Sequence, residues 1–391
     1  RQTLIEVYSG HGDSEVYRDW RTVGLDAEGE PVCPEPRSNY LPACWRAGQI
    51  IEERCLAEGE GANECTARAE VTRGNAARAG VYPHVTVPGV TGAEMATSGQ
   101  CLDCDQPSFN YRPANSAQYI AAISNFDEAS GEPRRFRMGF MASSDIHSAR
   151  PGTGYKEINR SEMTESKGPR ANAPDILGNR NSPEPHSVSL EEQPSLPFAD
   201  RDIERMSSFL TTGGLVGLHA AGRNRDSIWR ALRERAVYGT SGERILLWFD
   251  LLGEGDPRHM GSEIATGDAP VFRVRAVGSY EQAEGCPDST VRALGSERTA
   301  ILCGGECYRP TDQRRRITHL DVVRIRPQTH PDEDVSKLID DPWQRFECPD
   351  DPGGCVATFV DPEFPELGRD TVYYARAFEV PTPTVNGEQP R

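Results

Sequence analysis

The sequence predicts an α/β portion with the character of a barrel over residues 1–242, followed by an all-β domain over residues 243–391. Two apolar runs in the first portion each lead into a carboxylate and a histidine. Strands of an α/β barrel carry such groups at the face that holds the active site. A predicted helix precedes the second run, which is the alternation that an α/β fold repeats. Beyond Arg244, short runs of alternating apolar and polar residues are typical of antiparallel sheets.

The first predicted strand covers residues 3–8 and enters a glycine-flanked loop. Glu6 lies towards the end of this strand, and His11 follows between two glycines. Such glycines allow the backbone to bring an imidazole close to a ligand without a Cβ clash. The pattern favours His11 as a metal ligand. Taken alone, Glu6 fits a salt bridge or a loop cap as well as it fits metal ligation.

A second buried strand is predicted over residues 136–142, because apolar residues dominate this run. Asp145 and His147 follow it. Residues two apart on a strand point the same way, so the carboxylate and the imidazole would project together. Such a pair makes half of a site for a hard or borderline metal ion. As an isolated tripeptide, Asp-x-His also fits a chance pair in a loop.

Residues 21–115 are rich in proline, glycine and cysteine. This composition indicates an insertion that disulfides hold over the barrel, not a part of the barrel core. The eleven cysteines of the chain predict disulfides in an exported protein, whether periplasmic, on the outer surface or secreted. Cys44 and Cys55 fall on one predicted helix about 16 Å apart, too far to bridge each other. Each therefore needs a partner outside that helix, and the nearby choices are Cys33, Cys65, Cys101 and Cys104.

The remaining cysteines allow narrower expectations. Cys348 and Cys355 flank a turn and are expected to pair locally, and Cys286 is expected to pair with Cys303 or Cys307. Because the count is odd, one thiol is free or has its partner upstream of Arg1. The spacing of Cys101 and Cys104 also permits zinc ligation, although no second pair with matching spacing accompanies it.

Several further elements complete the first portion. Residues 116–126 predict an amphipathic helix, and residues 148–205, poor in apolar side chains, predict a lid or a plain solvated loop. A buried strand is predicted from Gly213 to His219. A helix over residues 226–235 follows it, with Asn224 or Asp226 as its cap. His219 is expected at the same mouth as the other candidates. A lone histidine there is more often packed or supporting a ligand than ligating.

The all-β domain is predicted to be a disulfide-supported antiparallel sandwich of about 150 residues. Its predicted strands are Ile245–Leu252, Val271–Tyr280, Ile317–Arg326, Val356–Val360 and Thr371–Val380.

Composition excludes some function classes. The formal net charge of −17 argues against sequence-independent binding of nucleic acid, which needs a basic face. No apolar stretch approaches the length of a membrane span, and no signal peptide is present. The chain begins at Arg1, directly on a strand, and is therefore expected to be a processed or excised piece.

Three segments together resemble one bacterial family, catalogued as domain of unknown function 3604. They are Ile5–Glu15, Ser143–Lys156 and Arg225–Gly242, and the resemblance runs through essentially the whole chain. This family is a relative of the PHP (polymerase and histidinol phosphatase) metal-dependent hydrolases. The resemblance implies a partial, distorted TIM-like barrel of the PHP type, with two or three divalent metal ions (zinc, manganese or iron) at the strand ends.

The same resemblance implies roles for individual residues. Asp145 and His147 match the closing Asp-x-His ligands, Glu6 matches a strand-end glutamate that can bridge two metals, and His11 matches a nearby histidine ligand. The opening His-x-His and a further Asp-His pair have no counterpart here. They are expected upstream of Arg1. Either a second segment or chain completes the barrel, or this fragment alone is inactive.

The implied activity is metal-dependent hydrolysis of a small-molecule ester, a phosphate ester above all, by water that the metals activate. Arg150 and His219 are the catalytic candidates. Arg150 would clamp a substrate oxyanion through its planar fork, although a salt bridge on an acidic protein explains it equally. The alternative function is an exported binding or surface protein with a structural or degenerate metal site, which the missing His-x-His motif and the disulfides favour.

Overall fold

In the computed structural model, the described residues are 2–80, 83–95, 98–99, 107–108, 111–127, 131, 133–144, 182–190 and 213–382. Short strands and helices alternate up to residue 240. In chain order they are β1 (Leu4–Ser9), β2 (Gly12–Asp13), β3 (Gly24–Leu25), β4 (Pro31–Val32), α1 (Ala43–Ala57), α2 (Ala62–Arg78), α3 (Gly92–Met95), α4 (Ala117–Ala122), β5 (Ser124–Asn125), β6 (Arg134–Arg135), β7 (Gly139–Ala142), β8 (Leu215–Leu218), α5 (Arg225–Arg233) and β9 (Val237–Thr240).

The remainder of the chain is mainly β. Its elements are β10 (Leu246–Leu252), β11 (Arg258–His259), β12 (Val271–Val277), β13 (Tyr280–Gln282), α6 (Asp288–Leu294), α7 (Ser296–Cys303), β14 (Pro310–Arg314), β15 (Ile317–Ile325), β16 (Ile339–Glu347), β17 (Cys355–Val360), α8 (Phe364–Leu367) and β18 (Val372–Glu379). Among the described helices, none is both long enough and apolar enough to cross a bilayer.

The cysteine-rich part is built on the helical pair α1 and α2. Ala47, Ile50 and Ile51 are spaced so that they share one face of α1, and all three are buried against α2 and its surroundings. Disulfides join Cys33 to Cys44 and Cys55 to Cys65. Both helical cysteines therefore bond outside their helix, as the spacing predicts. Cys101 and Cys104 lie outside the described residues.

Strands β10, β12 and β17 form an antiparallel sheet edged by β11, and β15 lies between β16 and β18 in a second antiparallel sheet. Alternate residues of β12 and β17 are buried, which is the pattern of a sheet with one face in a core. Phe272 and Phe359 of the first sheet share a hydrophobic cluster with Leu320 and Val322 of the second. The two antiparallel sheets thus share one core, as in a sandwich.

The barrel expectation differs from the structure. The described strands make several small sheets and no closed barrel. In the part before residue 243, β1 lies between β2 and β7, while β8 and β9, which α5 connects, form a separate antiparallel pair beside β7.

The strand predicted over 136–142 begins only at Gly139. Two further predicted elements are also shorter than expected. The helix predicted over 116–126 ends at Ala122, because Ile123 is extended and the chain continues into β5. The strand predicted over 271–280 breaks at Gly278, where a Cβ would lie 1.9 Å from the Arg315 carbonyl oxygen. Of the two residues expected to cap the helix after β8, Asn224 is the cap, since its side chain accepts a hydrogen bond from the Ser227 amide.

Candidate functional site

Strands β1 and β7 are parallel neighbours. Leu4 pairs with Gly139, Ile5 with Phe140 and Glu6 with Met141, and the register shifts between Glu6 and Tyr8. The carboxyl ends of parallel strands lie at one edge of a sheet, where ligands of α/β proteins bind. The two segments that carry the candidate ligands therefore leave the sheet from the same edge.

Glu6 makes a side-chain contact across this edge. Its Oε2 atom accepts a hydrogen bond from the Ser143 hydroxyl at 2.5 Å, and the Ser143 amide donates to the Tyr8 carbonyl at 3.0 Å. Ser143 stands two residues before Asp145. Asp145, His147 and Arg150 themselves lie outside the described residues, so their roles stay predictions.

His11 lies in the turn of the hairpin that joins β1 and β2. Ser9 pairs with Gly12 across this turn, and Gly12 has a φ of +96°, a conformation that favours glycine. The Ser9 hydroxyl lies 3.1 Å from His11 Nδ1 and accepts from the His11 amide at 3.2 Å. These contacts hold the imidazole close to the end of β1.

The segment that leads into β8 contacts the chain at Ser143, just after the end of β7. The Gly214 amide donates to the Ser143 carbonyl at 2.5 Å. A Cβ on Gly213, whose φ is +71°, would lie 2.4 Å from the Ser144 carbonyl oxygen. Only glycine permits this approach. In the sequence, the two glycines predict only the start of a strand, and their contact with Ser143 and Ser144 leaves no local pattern.

Strand β9 packs directly against β7. A Cβ on Gly139 would lie 3.1 Å from the Val237 side chain, and one on Gly239 would lie 2.9 Å from the Ala142 Cβ. Gly139 at the start of β7 thus lies beside Val237 at the start of β9, and Ala142 at the end of β7 lies beside Gly239 near the end of β9. The two strands therefore run in the same direction. Because β8 is antiparallel to β9, the end of β8 lies at the opposite edge from Ser143.

The direction of β8 determines where His219 lies. It follows β8 and lies beside the start of β9, where its amide donates to the Ala236 carbonyl. Its Nε2 atom is 2.8 Å from the Leu247 carbonyl oxygen, and its ring contacts those of Tyr238 and Trp248. Burial lowers the pKa of His219 and favours the neutral ring. The expected position beside the other candidates was wrong, because it assumed that β8 runs parallel to β7; a catalytic role for His219 stays a prediction.

Asp13 is a buried carboxylate near the site that the sequence analysis did not single out. Its Oδ2 atom pairs with Arg18 Nη2 at 2.7 Å, and its Oδ1 atom accepts from the Glu15 amide. Both Asp13 and Arg18 are buried. The pair fixes the chain that follows the hairpin, and through it the position of His11.

The donor types fit a divalent ion. Carboxylate and imidazole ligands suit zinc, manganese and iron, and Glu6 is an exposed carboxylate within β1, on the residue that pairs with Met141 of β7. Within the described part of the chain, three or more ligand atoms come within 4.8 Å of one another at Cys286, Cys303 and Cys307 alone. Glu6 and His11 therefore need further ligands to complete a site.

Comparison with known proteins gives one match. The profile of a family described as "Protein of unknown function (DUF3604)" matches residues 126–250, a range that includes β7, Asp145 and His147. No curated protein matches the chain. No solved structure matches it either. The chain is thus similar to this family over that range, and the match assigns no activity.

The disulfides are evidence about the cellular compartment in which the protein resides. Disulfides also join Cys286 to Cys307 and Cys348 to Cys355, while Cys303 keeps a free thiol. The local pair is confirmed, as is one of the two partners expected for Cys286. The four disulfides within the described part of the chain are consistent with an exported or extracellular protein.

Proposed function

We propose that this chain belongs to a PHP-type metal-dependent hydrolase and that Glu6, His11, Asp145 and His147 contribute to its divalent metal site. The observation that carries the proposal is the parallel pairing of β1 and β7, with Glu6 in contact with Ser143. Asp145 follows Ser143 after one intervening residue, so we expect its side chain and that of His147 to lie near the edge that Glu6 and His11 approach. In this proposal β1 and β7 are adjacent strands of a distorted barrel that other segments complete.

Each candidate residue of this chain would have a role that suits the chemistry of its side chain. Glu6 supplies a carboxylate that Ser143 orients through its hydroxyl, and His11 supplies an imidazole held by Ser9. Arg150 would bind the oxyanion of a phosphate ester through its planar fork. The cations would supply Lewis acidity and a lowered pKa for water.

The test measures metal content and hydrolysis together. Wild-type protein and the variants Glu6→Gln and Asp145→Asn are analysed for bound zinc, manganese and iron, and then assayed with 4-nitrophenyl phosphate. We expect bound metal and turnover in the wild type, with turnover at least 100-fold lower in both variants. Glu28→Gln, at an exposed glutamate in the loop between β3 and β4, is the matched control and should retain activity. Protein that holds no metal under saturating divalent ions would contradict the proposal.

A second candidate is an exported binding or surface protein with a structural or degenerate metal site. It is favoured because, among the described residues, Glu6 and His11 are not joined by a third ligand, and because much of the structure is a disulfide-linked insertion and a sandwich. Hydrolysis of an aryl phosphate that disappears in Asp145→Ala, with folding unchanged by circular dichroism, would eliminate this candidate.

A further inference from the structure

Three cysteine sulfurs come together in the segment that leads from β13 to β14. Cys286 and Cys307 form a disulfide, and Cys303 at the end of α7 keeps a free thiol. The three sulfur atoms lie within 4.8 Å of one another. Among the described residues, no other histidine, cysteine or carboxylate groups bring three ligand atoms so close together. We call Cys286, Cys303 and Cys307 the sulfur cluster.

Backbone contacts hold the sulfur cluster together in addition to the disulfide. The chain turns directly after α7, where the Glu306 amide donates to the Cys303 carbonyl at 2.9 Å. The Cys307 amide then donates to the Gly285 carbonyl at 3.3 Å, which places Cys307 beside Cys286, the residue after Gly285. The three cysteines should therefore stay close to one another when the disulfide is reduced.

The disulfide of the sulfur cluster is more accessible than the other described disulfides. Cys286 and Cys307 are only partly buried, whereas each of the other three disulfides contains at least one buried cysteine. The buried cysteines, none more than 4% exposed, are Cys44, Cys55, Cys65 and Cys355. Thiol–disulfide exchange requires that the attacking thiolate reach a sulfur atom. An external dithiol should therefore reduce Cys286–Cys307 first.

The reduction leaves three thiols in the sulfur cluster. The dithiol is oxidised to its own disulfide, and its two hydrogens pass to the sulfurs of Cys286 and Cys307. Cys303 already carries a thiol. The reduced cluster therefore offers three sulfur ligands.

Three thiols at this spacing suit a soft metal ion. A metal–thiolate bond is about 2.3 Å long, so the sulfurs around one ion stand about 3.8–4.0 Å apart. The cluster needs only small movements to reach this spacing, because its sulfurs already lie within 4.8 Å of one another. Thiolates select ions such as copper(I) and zinc. Structural zinc almost always takes four ligands, and among the described residues no fourth ligand joins the three sulfurs. A three-sulfur site therefore fits copper(I) better.

We propose that the sulfur cluster is a copper(I) site that forms when a dithiol reduces Cys286–Cys307. Each thiol loses a proton as it binds, and the three thiolates hold one ion. The thiolate is the ligand, so the oxidised cluster offers one ligand in place of three. Cys303 thus acts as the third ligand. The site lies in the all-β part and uses softer ligands than the carboxylate and imidazole groups proposed around Glu6.

The competing explanation is that Cys303 is a spare thiol that takes no part in metal binding. Two thiolates also bind copper(I), so the reduced pair of Cys286 and Cys307 would then retain the ion alone. The two explanations differ in the effect of removing the third sulfur. Its removal weakens binding if Cys303 is a ligand, and it changes nothing if the pair binds alone.

The experiment measures copper(I) binding by the full chain after selective reduction. The protein is treated with one equivalent of dithiothreitol in the absence of oxygen and desalted, and peptide mapping identifies the reduced disulfide. Copper(I) is then titrated in competition with bicinchoninate, a chelator whose copper(I) complex absorbs visible light. We expect one ion per chain, with three sulfur neighbours in the X-ray absorption spectrum, and binding at least tenfold weaker in Cys303→Ser. Protein that has not been reduced should leave the copper on the chelator.

Two further samples keep the test valid if Cys303→Ser folds poorly. In the first, wild-type protein is alkylated at the Cys303 thiol with iodoacetamide before the reduction, and it should lose affinity to the same extent. The second is the matched control, the double variant Cys348→Ser, Cys355→Ser, which removes another disulfide of the all-β part. It should bind copper(I) within twofold of the wild type, with its folding checked by circular dichroism.

Several results would overturn the proposal. One is equal copper(I) affinity in reduced wild type and in Cys303→Ser, and another is a Cys286–Cys307 disulfide that stays intact while a different one is reduced. Loss of binding in the double variant Cys101→Ser, Cys104→Ser would assign the ion to that pair instead. Zinc is titrated in parallel. A site that depends on Cys303, holds zinc and does not retain copper(I) would contradict the choice of metal.

Discussion

Arg376 and Glu15, 361 positions apart in the chain, form an ion pair in which Arg376 Nε donates to Glu15 Oε1 at 2.5 Å. The same carboxylate oxygen accepts from the Tyr374 hydroxyl at 2.6 Å. Arg376 also donates to both carboxylate oxygens of Asp341, and Gln118 donates to Asp341 and to Tyr374. These five residues form a junction network that joins the segment after β2 to β16 and β18 of the sandwich.

The junction network should contribute strongly to the coupling of the two parts. Although burial disfavours the charged form, Glu15 and Asp341 raise the pKa of Arg376, which therefore stays charged. The side chains of Arg376, Glu15 and Asp341 are 15–19% exposed. Replacing one partner leaves a largely buried charge without compensation, which costs up to about 3–5 kcal/mol. We expect Arg376→Met to lower the free energy of unfolding by that amount in urea titrations, and to separate the calorimetric transition into two.

Arg316→Met is the matched control for this measurement. Arg316 pairs with Asp350, whose side chain is 94% exposed, and such a pair contributes at most about 1 kcal/mol. Equal destabilisation by the two substitutions would show that the junction network has no special role.

A second prediction concerns the glycine that brings β8 to the candidate site. A Cβ on Gly214 would lie 2.5 Å from the Ala142 Cβ and 2.6 Å from the Thr240 carbonyl oxygen, so Gly214→Ala must displace the backbone. We expect a loss of about 1–3 kcal/mol in the free energy of unfolding, measured by urea denaturation. Gly253→Ala, where a Cβ would meet no atom within 4 Å, is the control and should stay within about 0.5 kcal/mol of the wild type.

Features that depend on short stretches of chain could be predicted from the sequence. The apolar runs at residues 3–8 and 136–142 predict the strands found at Leu4–Ser9 and Gly139–Ala142, although the second strand begins three residues late, after an exposed Phe136. Side-chain chemistry narrowed the helix cap to Asn224 or Asp226, and short spacing predicted the local pair of Cys348 and Cys355. Helix geometry also limited which partners Cys44 could take.

Features that depend on strand direction or on distant contacts were not predictable in this way. His219 was misplaced because an apolar run does not tell whether a strand is parallel or antiparallel to its neighbour. The pairing of Glu15 with Arg376 leaves no local pattern at either end. The contacts of Gly213 and Gly214 with Ser143 had a signal, two consecutive glycines at the start of a buried strand, but no indication of the partner.

A third prediction concerns pH and the buried His84. Burial lowers the pKa of His84 to about 3, and neither ring nitrogen has a hydrogen-bond partner among the described residues. The unfolded chain, with a pKa near 6.5, binds a proton in a pH range where the folded protein does not. Stability from this group is therefore full above about pH 6.5 and falls as the pH is lowered towards 3, by up to about 1.4 kcal/mol per pH unit.

This pH dependence is checked by urea titrations between pH 7 and pH 4. His84→Leu should reduce the slope of unfolding free energy against pH, because the variant has no group to protonate at that position. His330→Leu, at an exposed histidine, should leave the slope unchanged. A slope that is the same in wild type and His84→Leu would assign the acid sensitivity to other groups.

The last prediction concerns the free thiol of Cys303, whose sulfur lies within 4.8 Å of those of Cys286 and Cys307. The Cys303 thiolate can attack the Cys286 sulfur, forming a Cys286–Cys303 disulfide and releasing Cys307 as a thiolate, with no net oxidation. Because only the thiolate attacks, we expect the exchange between the two disulfides to become faster as the pH is raised. Acid-quenched peptide mapping under non-reducing conditions measures both pairings. Cys303→Ser should retain Cys286–Cys307 alone at every pH, and the Cys348–Cys355 pair serves as an internal control. An unchanged pairing in wild-type protein held at high pH would show that the three sulfurs cannot reach the geometry of exchange.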